Sequence, residues 1–216
     1  MENMDERETL FTDLGVLAAA TPTVPDQFKD SGYLFLANSH PGVQMDLLGQ
    51  LPGDKFVVAD TMNLWIDTAK DDLTKLLGKV DGLVLNFEEA EQFTGKRNPV
   101  TAGRHILEHG PQFVVVKKGE HGAILIHRDG LSALPAFPTE DVIDPTGAGD
   151  TFAGGFMAHV ANTGDTSYAN LRRAMAHGTI IASFTIESFS LERLADITPA
   201  MITDRYGAFA QMTDLR

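Results

Sequence analysis

Hydrophobic and polar positions along this chain predict strands and helices in alternation. Short, continuous apolar runs bounded by turn residues indicate buried strands at 33–37, 55–60, 81–86 and 112–117. Apolar residues at helical spacing predict helices between and around these strands, at 43–51, 68–79, 88–93 and 101–109. Continuous apolar strands separated by helices are typical of a parallel sheet covered on both faces, so the sequence predicts an α/β fold.

The pattern changes in the second half of the chain. Two apolar segments, 123–127 and 132–136, are separated by a short turn around Gly130, which predicts a hairpin and hence an antiparallel section of the sheet. Helical spacing then predicts two longer helices, at 150–162 and about 167–184. Gly178 lies within the second of these helices and is expected to weaken it slightly.

Length and composition favour one domain over residues 1–216 and exclude several classes of partner. The chain is 43% hydrophobic, which suits a globular core. Its net charge of -13, without a cluster of lysine or arginine, argues against binding to nucleic acid or to anionic membrane surfaces. No apolar run reaches the roughly 18 residues of a membrane span, and there is no cysteine. We therefore expect a cytoplasmic protein without disulfides or thiolate metal sites.

The segment 144–157 carries the most informative chemistry in the chain. Gly147, Ala148 and Gly149 precede Asp150 and an apolar helix, so they form the turn at which that helix begins. The first amides of a helix have no internal partner, the helix dipole adds positive charge there, and glycine lets a ligand approach the backbone. The turn is therefore suited to binding a phosphate.

Asp150 changes the interpretation of this anion site. A carboxylate at this position could simply cap the helix. A phosphate site gains nothing from a second negative charge, whereas a carboxylate beside it can accept a proton from a hydroxyl group that attacks phosphorus. We therefore favour a general base over a cap, although the residues alone leave both roles open.

This segment resembles the C-terminal signature of the ribokinase-like (PfkB) family of carbohydrate and nucleoside kinases. The signature reads Asp-x-Thr-Gly-Ala-Gly-Asp, and each fixed position is present from Asp144 to Asp150. The resemblance implies a three-layer α/β/α fold with a mostly parallel central sheet and a C-terminal antiparallel section. It also implies an ATP-dependent phosphotransferase that acts on an alcohol group of a sugar or nucleoside. Asp150 would then be the base, and the amides of Gly147, Ala148, Gly149 and Asp150 would hold the transferring phosphate.

Asn86 and Glu89 follow the third predicted strand with the spacing of the family's Asn-x-x-Glu motif. The resemblance implies that Glu89 acts on Mg²⁺ through water and that Asn86 acts on a phosphate. Ligands of parallel sheets bind at the carboxyl ends of the strands, which supports this interpretation. The alternative is that Asn86 caps the next helix and Glu89 occupies its first turn.

Three further positions match segments that bind the nucleotide in the family. Gly119 and Gly122 match its Gly-x-x-Gly segment beside the phosphates and ribose, although a plain turn would also require these glycines. His177 is implied to flank the adenine, with a structural histidine as the alternative. Lys117 and Lys118 are either solvated charges or a pair that offsets repulsion near the phosphates.

The resemblance also implies roles near the substrate and for a monovalent cation. Asn38 and Asn63 follow the first two predicted strands and would lie near the substrate or the transferring phosphate, although the segment of Asn38 could instead cap a helix. Asp144 and Thr146 match residues beside a monovalent cation in many relatives, which suggests K⁺ activation. Trp65 is expected in the core rather than stacked on a ligand.

The chain departs from the family at its N-terminus. The family's first strands and small β lid are not visible, and residues 8–14 are interpreted as the strand that returns from the lid. We therefore expect the N-terminal third to be missing, which leaves a non-catalytic nucleotide-binding or interaction module as the alternative to a kinase. A pyridoxal-type acceptor is disfavoured by Ala148 and the lack of cysteine. An uncovered sheet edge would favour a homodimer.

Overall fold

Six strands form one mixed sheet, and their order in space follows their order in the sequence. The strands are β1 Tyr33–Leu36, β2 Phe56–Asp60, β3 Gly82–Asn86, β4 Phe113–Lys117, β5 Ala123–His127 and β6 Gly130–Leu134. Strands β1 to β4 are parallel, while β5 and β6 run antiparallel to their neighbours. The computed structural model describes residues 13, 15–18 and 21–214, so the predicted strand at 8–14 lies outside the described residues apart from Asp13. The parallel section and the hairpin are both confirmed.

Nine α-helices lie within this described part of the chain. They are α1 Pro41–Gly49, α2 Asn63–Thr68, α3 Lys70–Leu77, α4 Phe87–Thr94, α5 Pro99–Leu107, α6 Ala148–Thr163, α7 Tyr168–Thr185, α8 Glu192–Asp196 and α9 Pro199–Thr213. Helix α2 was not predicted, because its apolar residues Leu64, Trp65 and Ile66 are consecutive and show no helical period. Only Ala69 separates α2 from α3, so the predicted helix at 68–79 is the second member of a helix pair.

The sheet is covered on both faces, as a three-layer α/β/α architecture requires. Parallel strands that follow one another in order need right-handed crossovers, and these place α1 to α5 on one face. Leu73 of α3, Phe93 of α4 and Ile106 of α5 form the core on that side. Phe156 of α6 and Met175 of α7 pack against the opposite face. Successive strand residues such as Val114 and Val115 point into different cores, which explains the continuous apolar runs in the sequence.

Helices α6 and α7 approach each other closely at two glycines. A Cβ atom on Gly178 would lie 2.6 Å from the backbone oxygen of Phe152, and one on Gly155 would lie 3.0 Å from Ile181 Cγ1. Gly178 lowers the intrinsic helix propensity of α7, but it also allows the backbones to come within contact distance. The packing of α7 on α6 therefore depends on this position having no side chain.

Strand β1 forms one edge of the sheet. Within the described residues it pairs only with β2, so its other edge has no partner strand there. Leu34 and Phe35, in the middle of this strand, are only half-buried. A homodimer formed through this edge stays a prediction. None of the described helices is long and apolar enough to cross a membrane.

We predict that Gly178→Ala lowers the free energy of unfolding by about 2 kcal/mol, because the added methyl group overpacks the contact between α6 and α7. Urea unfolding followed by circular dichroism would measure the change. Gly154→Ala is the matched control, since Gly154 also lies in α6 but a Cβ atom there meets nothing within 4 Å. The control should be neutral or stabilising by up to about 1 kcal/mol. Equal effects of the two substitutions would contradict the packing role of Gly178.

Candidate active site

Polar residues from several strands meet where the parallel strands end. This side of the sheet is called the carboxyl edge below. Asp60, Asn86 and Lys117 are the last residues of β2, β3 and β4, and Asn38 follows β1 after one residue. The carboxyl ends of parallel strands lie at the same edge, which is where ligands of such sheets usually bind. The N-terminus of α6 reaches this edge as well, because Gly149 lies against the side chain of Lys117.

The turn before α6 leaves several amides without partners. Gly147 has φ 80° and ψ −2°, a left-handed conformation that glycine adopts most easily, and it is the residue immediately before the helix. Ala148 N donates a 3.2 Å hydrogen bond to Pro145 O, so this predicted anion-binding amide already has an acceptor. The amides of Gly147, Gly149 and Asp150 have no acceptor within the described residues. Three of the four predicted amides are therefore available to an anion.

Asp150 lies in the first turn of α6 with its side chain exposed. Its carboxylate accepts no hydrogen bond from the described residues, so the geometry lacks the side-chain bond that a helix cap would make. The charge of Asp150 does reach the sheet edge, where it raises the pKa of Asp60. The carboxylate is thus free to accept a proton from a ligand beside the anion site.

Asp60 and Lys117 form an ion pair at the centre of this edge. Lys117 Nζ lies 3.5 Å from Asp60 Oδ2, and both side chains are largely buried. Burial raises the pKa of Asp60, and the nearby ammonium group of Lys117 partly offsets this effect. From its sequence context Lys117 has two possible roles, and no role was predicted for Asp60. The available signal was that both are charged residues that end an apolar strand.

Asn86 and Glu89 form a reciprocal capping box at the start of α4. Asn86 Oδ1 accepts from Glu89 N, and Glu89 Oε2 accepts from Asn86 N, each at 2.8 Å. This is the helix-capping geometry considered as the alternative for the Asn-x-x-Glu motif. Burial raises the pKa of Glu89 to about 7, while the hydrogen bond from Asn86 N and the charge of Lys117 act in the opposite direction. Roles of these residues at a phosphate or metal stay predictions.

Gly119 begins a short 3-10 helix after β4, Gly119–His121, and Gly122 follows its end. A Cβ atom on Gly122 would lie 2.0 Å from Leu134 O, so contact with the end of β6 already explains this glycine. Gly119 has φ 55° and open space around its Cα atom. Of these two glycines, Gly119 is therefore the one with open space where a side chain would lie, and a nucleotide could occupy that space.

His177 is the middle member of a stack of three rings. Its ring centroid lies 4.2 Å from that of His159 and 4.5 Å from that of Tyr206, with nearly parallel planes. Burial and the neighbouring His159 lower the pKa of His177 to about 4. Because both faces of the ring are covered, His177 could meet an adenine only with its edge. The geometry matches the structural alternative, and contact with a base stays a prediction.

Comparison with known proteins identifies the family to which this arrangement belongs. A family model described as pfkB family carbohydrate kinase matches residues 48–196. The chain belongs to the PfkB family. It is 31% identical over 139 residues to the cytidine kinase of Thermococcus kodakarensis, which covers 62% of this chain and 50% of that protein. It is also 32% identical over 115 residues to the deoxyribokinase of Salmonella typhi, covering 50% of this chain and 35% of that one.

Solved structures of related kinases share the ribokinase-like fold. The aminoimidazole riboside kinase of Salmonella enterica, solved with its riboside and an ATP analogue, has a TM-score of 0.71 and 18% identity. This match covers 81% of the present chain and 62% of that chain. The nucleoside kinase of Methanocaldococcus jannaschii, a member of the ribokinase family, has a TM-score of 0.70 and 22% identity over 83% of this chain and 57% of that one. The present chain spans half or less of the length of the curated relatives named above.

Two other positions predicted from the PfkB resemblance lie around this edge. Asn38 is exposed, and its Oδ1 accepts a 2.9 Å hydrogen bond from Nε1 of the buried Trp65, which confirms the core position of that tryptophan. The neighbouring His40 caps α1 through its Nδ1, so the capping role belongs to His40 and not to Asn38. Asn63 is exposed at the start of α2, and its backbone oxygen accepts from Gln92 Nε2. Contact of either asparagine with a substrate stays a prediction.

Asp144 and Thr146 form a local turn just before Gly147. Thr146 N donates to Asp144 Oδ1 at 2.9 Å, and hydrogen bonds from Thr146 lower the pKa of Asp144. The amides of Ile143 and Asp144 both donate to Ile186 O, which joins this turn to the end of α7. In the described part of the chain no group of three or more His, Cys, Asp or Glu side chains could hold a metal ion. The monovalent cation therefore stays a prediction.

We predict that Glu89→Gln raises the free energy of unfolding relative to the wild type, and that this gain is larger at pH 8 than at pH 5. The pKa of Glu89 rises from 4.5 to about 7 on folding, so its protonated form contributes stability that is lost as the pH rises through 7. The amide oxygen of glutamine can still accept from Asn86 N. Urea unfolding should show a gain at pH 8 of about 2 to 3 kcal/mol over the effect at pH 5, since one pKa unit corresponds to about 1.4 kcal/mol.

Glu88→Gln is the control for this measurement, because Glu88 is the exposed neighbour in the same helical turn. It should change stability by less than about 0.5 kcal/mol at either pH. A pH-independent effect of Glu89→Gln would contradict the raised pKa of this carboxyl group.

Proposed function

We propose that this chain belongs to a kinase that transfers the γ-phosphoryl group of ATP to an alcohol group of a sugar or nucleoside. The observation that carries the proposal is the edge of the sheet where three unpaired amides, the exposed Asp150 carboxylate and the Lys117 ammonium group come together. Amides and an ammonium group bind a phosphate, and a carboxylate beside them serves the attacking alcohol. The relatives named as kinases of cytidine and deoxyribose support this class of substrate.

Asp150 acts as general base in the proposed reaction. Its carboxylate accepts the proton of the substrate hydroxyl, whose oxygen forms a bond to the γ-phosphorus of ATP. The bond from that phosphorus to the β,γ-bridging oxygen breaks, and ADP leaves with its electron pair. The amides of Gly147, Gly149 and Asp150 bind the charged oxygens of the transferring group and are already oriented for them.

The residues at this edge fit a magnesium ion that is carried by the nucleotide. Mg²⁺ usually keeps several waters and takes one or two carboxylates together with substrate phosphates. Glu89 would hold it through water, in accord with the absence of a larger acidic cluster among the described residues. When bound, the ion neutralises phosphate charge. Asp144 and Thr146 would lie beside K⁺, and a cytoplasmic location with access to ATP is part of the proposal.

A non-catalytic nucleotide-binding or interaction module is the second candidate. The observation that favours it is that the chain spans half or less of its curated relatives, so half or more of each of those enzymes lies outside the matched region. Such a module would bind MgATP at the same edge without turnover. Product formation separates the two candidates.

We predict that Asp150→Asn lowers turnover by at least about a hundredfold and leaves the affinity for MgATP within about threefold, because the amide cannot accept the proton. Product formation would be measured with MgATP and a panel of ribose, deoxyribose, fructose, 2-keto-3-deoxygluconate, adenosine and cytidine. Calorimetry would measure nucleotide binding in the same preparations.

Asp204→Asn is the control, since Asp204 is an exposed carboxylate on α9, outside the elements that form this edge. It should keep wild-type turnover. Near-normal turnover of Asp150→Asn would contradict the assignment of the base. Binding of MgATP without turnover on any acceptor would favour the module.

A further inference from the structure

Two histidines lie one helical turn apart at the end of α5. His105 is in the last turn of this helix, and His109 follows its final residue Leu107 by two positions. Glu108 keeps right-handed helical backbone angles, and His109 N donates to Ile106 O at 3.0 Å, so the chain continues to turn as in a helix up to this point. Residues four positions apart lie on the same face of a helix, and the two imidazoles are therefore neighbours.

The two imidazoles have the separation of a pair that binds one metal ion. Their ring centroids lie 5.4 Å apart, and the angle between their planes is 79°. A Zn–N bond measures about 2.0–2.1 Å, so the ion lies about 3 Å from each ring centre, and tetrahedral geometry separates the two centres by about 5 Å. Two histidines four positions apart on one helical face are also the spacing of helical zinc motifs. The pair therefore fits a chelate as it stands.

Glu108 determines which nitrogen of His105 can bind a metal. Its Oε2 lies 3.0 Å from His105 Nδ1. An ionised carboxylate only accepts hydrogen bonds, so Nδ1 carries the hydrogen, and the lone pair of the neutral imidazole is on Nε2. Histidines that bind metals usually donate their other N–H to a carboxylate, a carbonyl or water in the same way. His105 is thus already oriented as a ligand.

The ring nitrogens of His109 form no hydrogen bond with the described residues. The imidazole packs against the ring of Phe93, at 5.7 Å between centroids and 73° between planes. This contact fixes the plane of the ring, whereas a half-turn about χ2 exchanges the two nitrogens, since that torsion has broad, roughly two-fold minima. A nitrogen of His109 is therefore available to an ion that His105 Nε2 binds.

The charges around this pair favour a cation. The C-terminal end of a helix carries partial negative charge, and both histidines stand at that end of α5. Glu108 adds a carboxylate, and the chain as a whole has a net charge of -13. Two positive groups are also nearby: Arg104 is exposed to solvent, and Lys70 Nζ donates to Phe93 O at 2.7 Å. Each of these has another environment, either solvent or a carbonyl oxygen.

We propose that His105 and His109 together bind a divalent transition metal ion of the Zn²⁺ class, and that Glu108 is a positioning residue for His105. The described residues hold no group of three or more such ligands, so water completes the coordination. Imidazole nitrogen suits Zn²⁺, whereas Mg²⁺ prefers oxygen. Strand β4 begins at Phe113, soon after His109, so the site lies at the opposite end of the parallel strands from the carboxyl edge. The inference is independent of the proposed kinase reaction.

The first test measures Zn²⁺ binding by calorimetry, with the whole chain free of any affinity tag and with Mg²⁺ in excess. We expect His105→Gln and His109→Gln each to weaken Zn²⁺ binding at least tenfold, because one imidazole alone cannot chelate the ion. His121→Gln is the matched control. His121 is exposed and lies 3.6 Å from a carboxylate oxygen of Glu120, but no second imidazole of the described residues packs against it.

The control should change the affinity for Zn²⁺ less than twofold. Equal losses in the three variants would overturn the proposal, and so would a wild-type chain that does not bind Zn²⁺.

The second test asks whether Glu108 acts through His105. Glu108→Ala should weaken Zn²⁺ binding about threefold to tenfold, because the imidazole loses the acceptor that fixes its tautomer. Glu108→Gln keeps an oxygen that accepts from Nδ1 and should stay within threefold of the wild type. In the His105→Gln background, Glu108→Ala should cause no further loss. A tenfold loss in Glu108→Gln, or equal losses from Glu108→Ala in both backgrounds, would contradict the positioning role.

NMR spectroscopy separates direct binding from an indirect effect of the substitutions on folding. Long-range ¹H–¹⁵N spectra of the wild-type histidine rings report which nitrogens bind Zn²⁺. We expect Zn²⁺ to shift the ring resonances of His105 and His109, with Nε2 as the bound nitrogen of His105, and to leave those of the other histidines unchanged. Circular dichroism would verify the fold of each variant. Shifts at other histidines in place of this pair, or binding through Nδ1 of His105, would overturn the assignment.

Discussion

The right-handed crossover between parallel strands is the constraint on which the rest of this structure depends. Because β1 to β4 follow one another in order, the helices that join them all lie on one face of the sheet. The opposite face is covered by α6 and α7, which follow the strands in the sequence. The turn at Gly147 before α6 therefore reaches the carboxyl edge of the sheet from the side opposite to α1–α5.

Charges at that edge are coupled because they are buried together. Burial raises the pKa of Asp60 and of Glu89, and the ammonium group of Lys117 acts against burial at both. After burial, the negative charge of Asp150 also contributes to the raised pKa of Asp60. A single lysine thus balances several carboxylates, and a bound polyphosphate would have to be accompanied by cations. This requirement accords with a nucleotide that arrives as its magnesium complex.

The sequence predicted most of the fold because its signals were local and repeated. Continuous apolar runs gave the four parallel strands, and the turn around Gly130 gave the hairpin, all of which the structure confirms. The helix α2 was not predicted, because its apolar residues are consecutive and show no helical period. Gly178 was interpreted only through helix propensity, since its close approach to Phe152 depends on tertiary packing that no local pattern encodes.

The site residues show the same contrast between local signals, which the sequence reveals, and long-range contacts, which it does not. The turn at Gly147 was predictable because glycines before an apolar helix are a local signal, and the PfkB family match supports it. The pair of Asp60 and Lys117 was not predicted, because 57 residues separate its members and only the sheet brings them together. The faces of His177 are covered by rings from α6 and α9, a long-range contact that a motif at one position cannot reveal.

The close contact of α6 and α7 has a consequence for how the protein is made. During synthesis the strands with Asp60, Asn86 and Lys117 emerge from the ribosome before the turn at Gly147 exists. That turn reaches the sheet edge only once α6 is docked, and α6 is held in part by Gly178 of α7. A nascent chain that ends before α7 therefore carries the charged edge without the unpaired amides of the Gly147 turn.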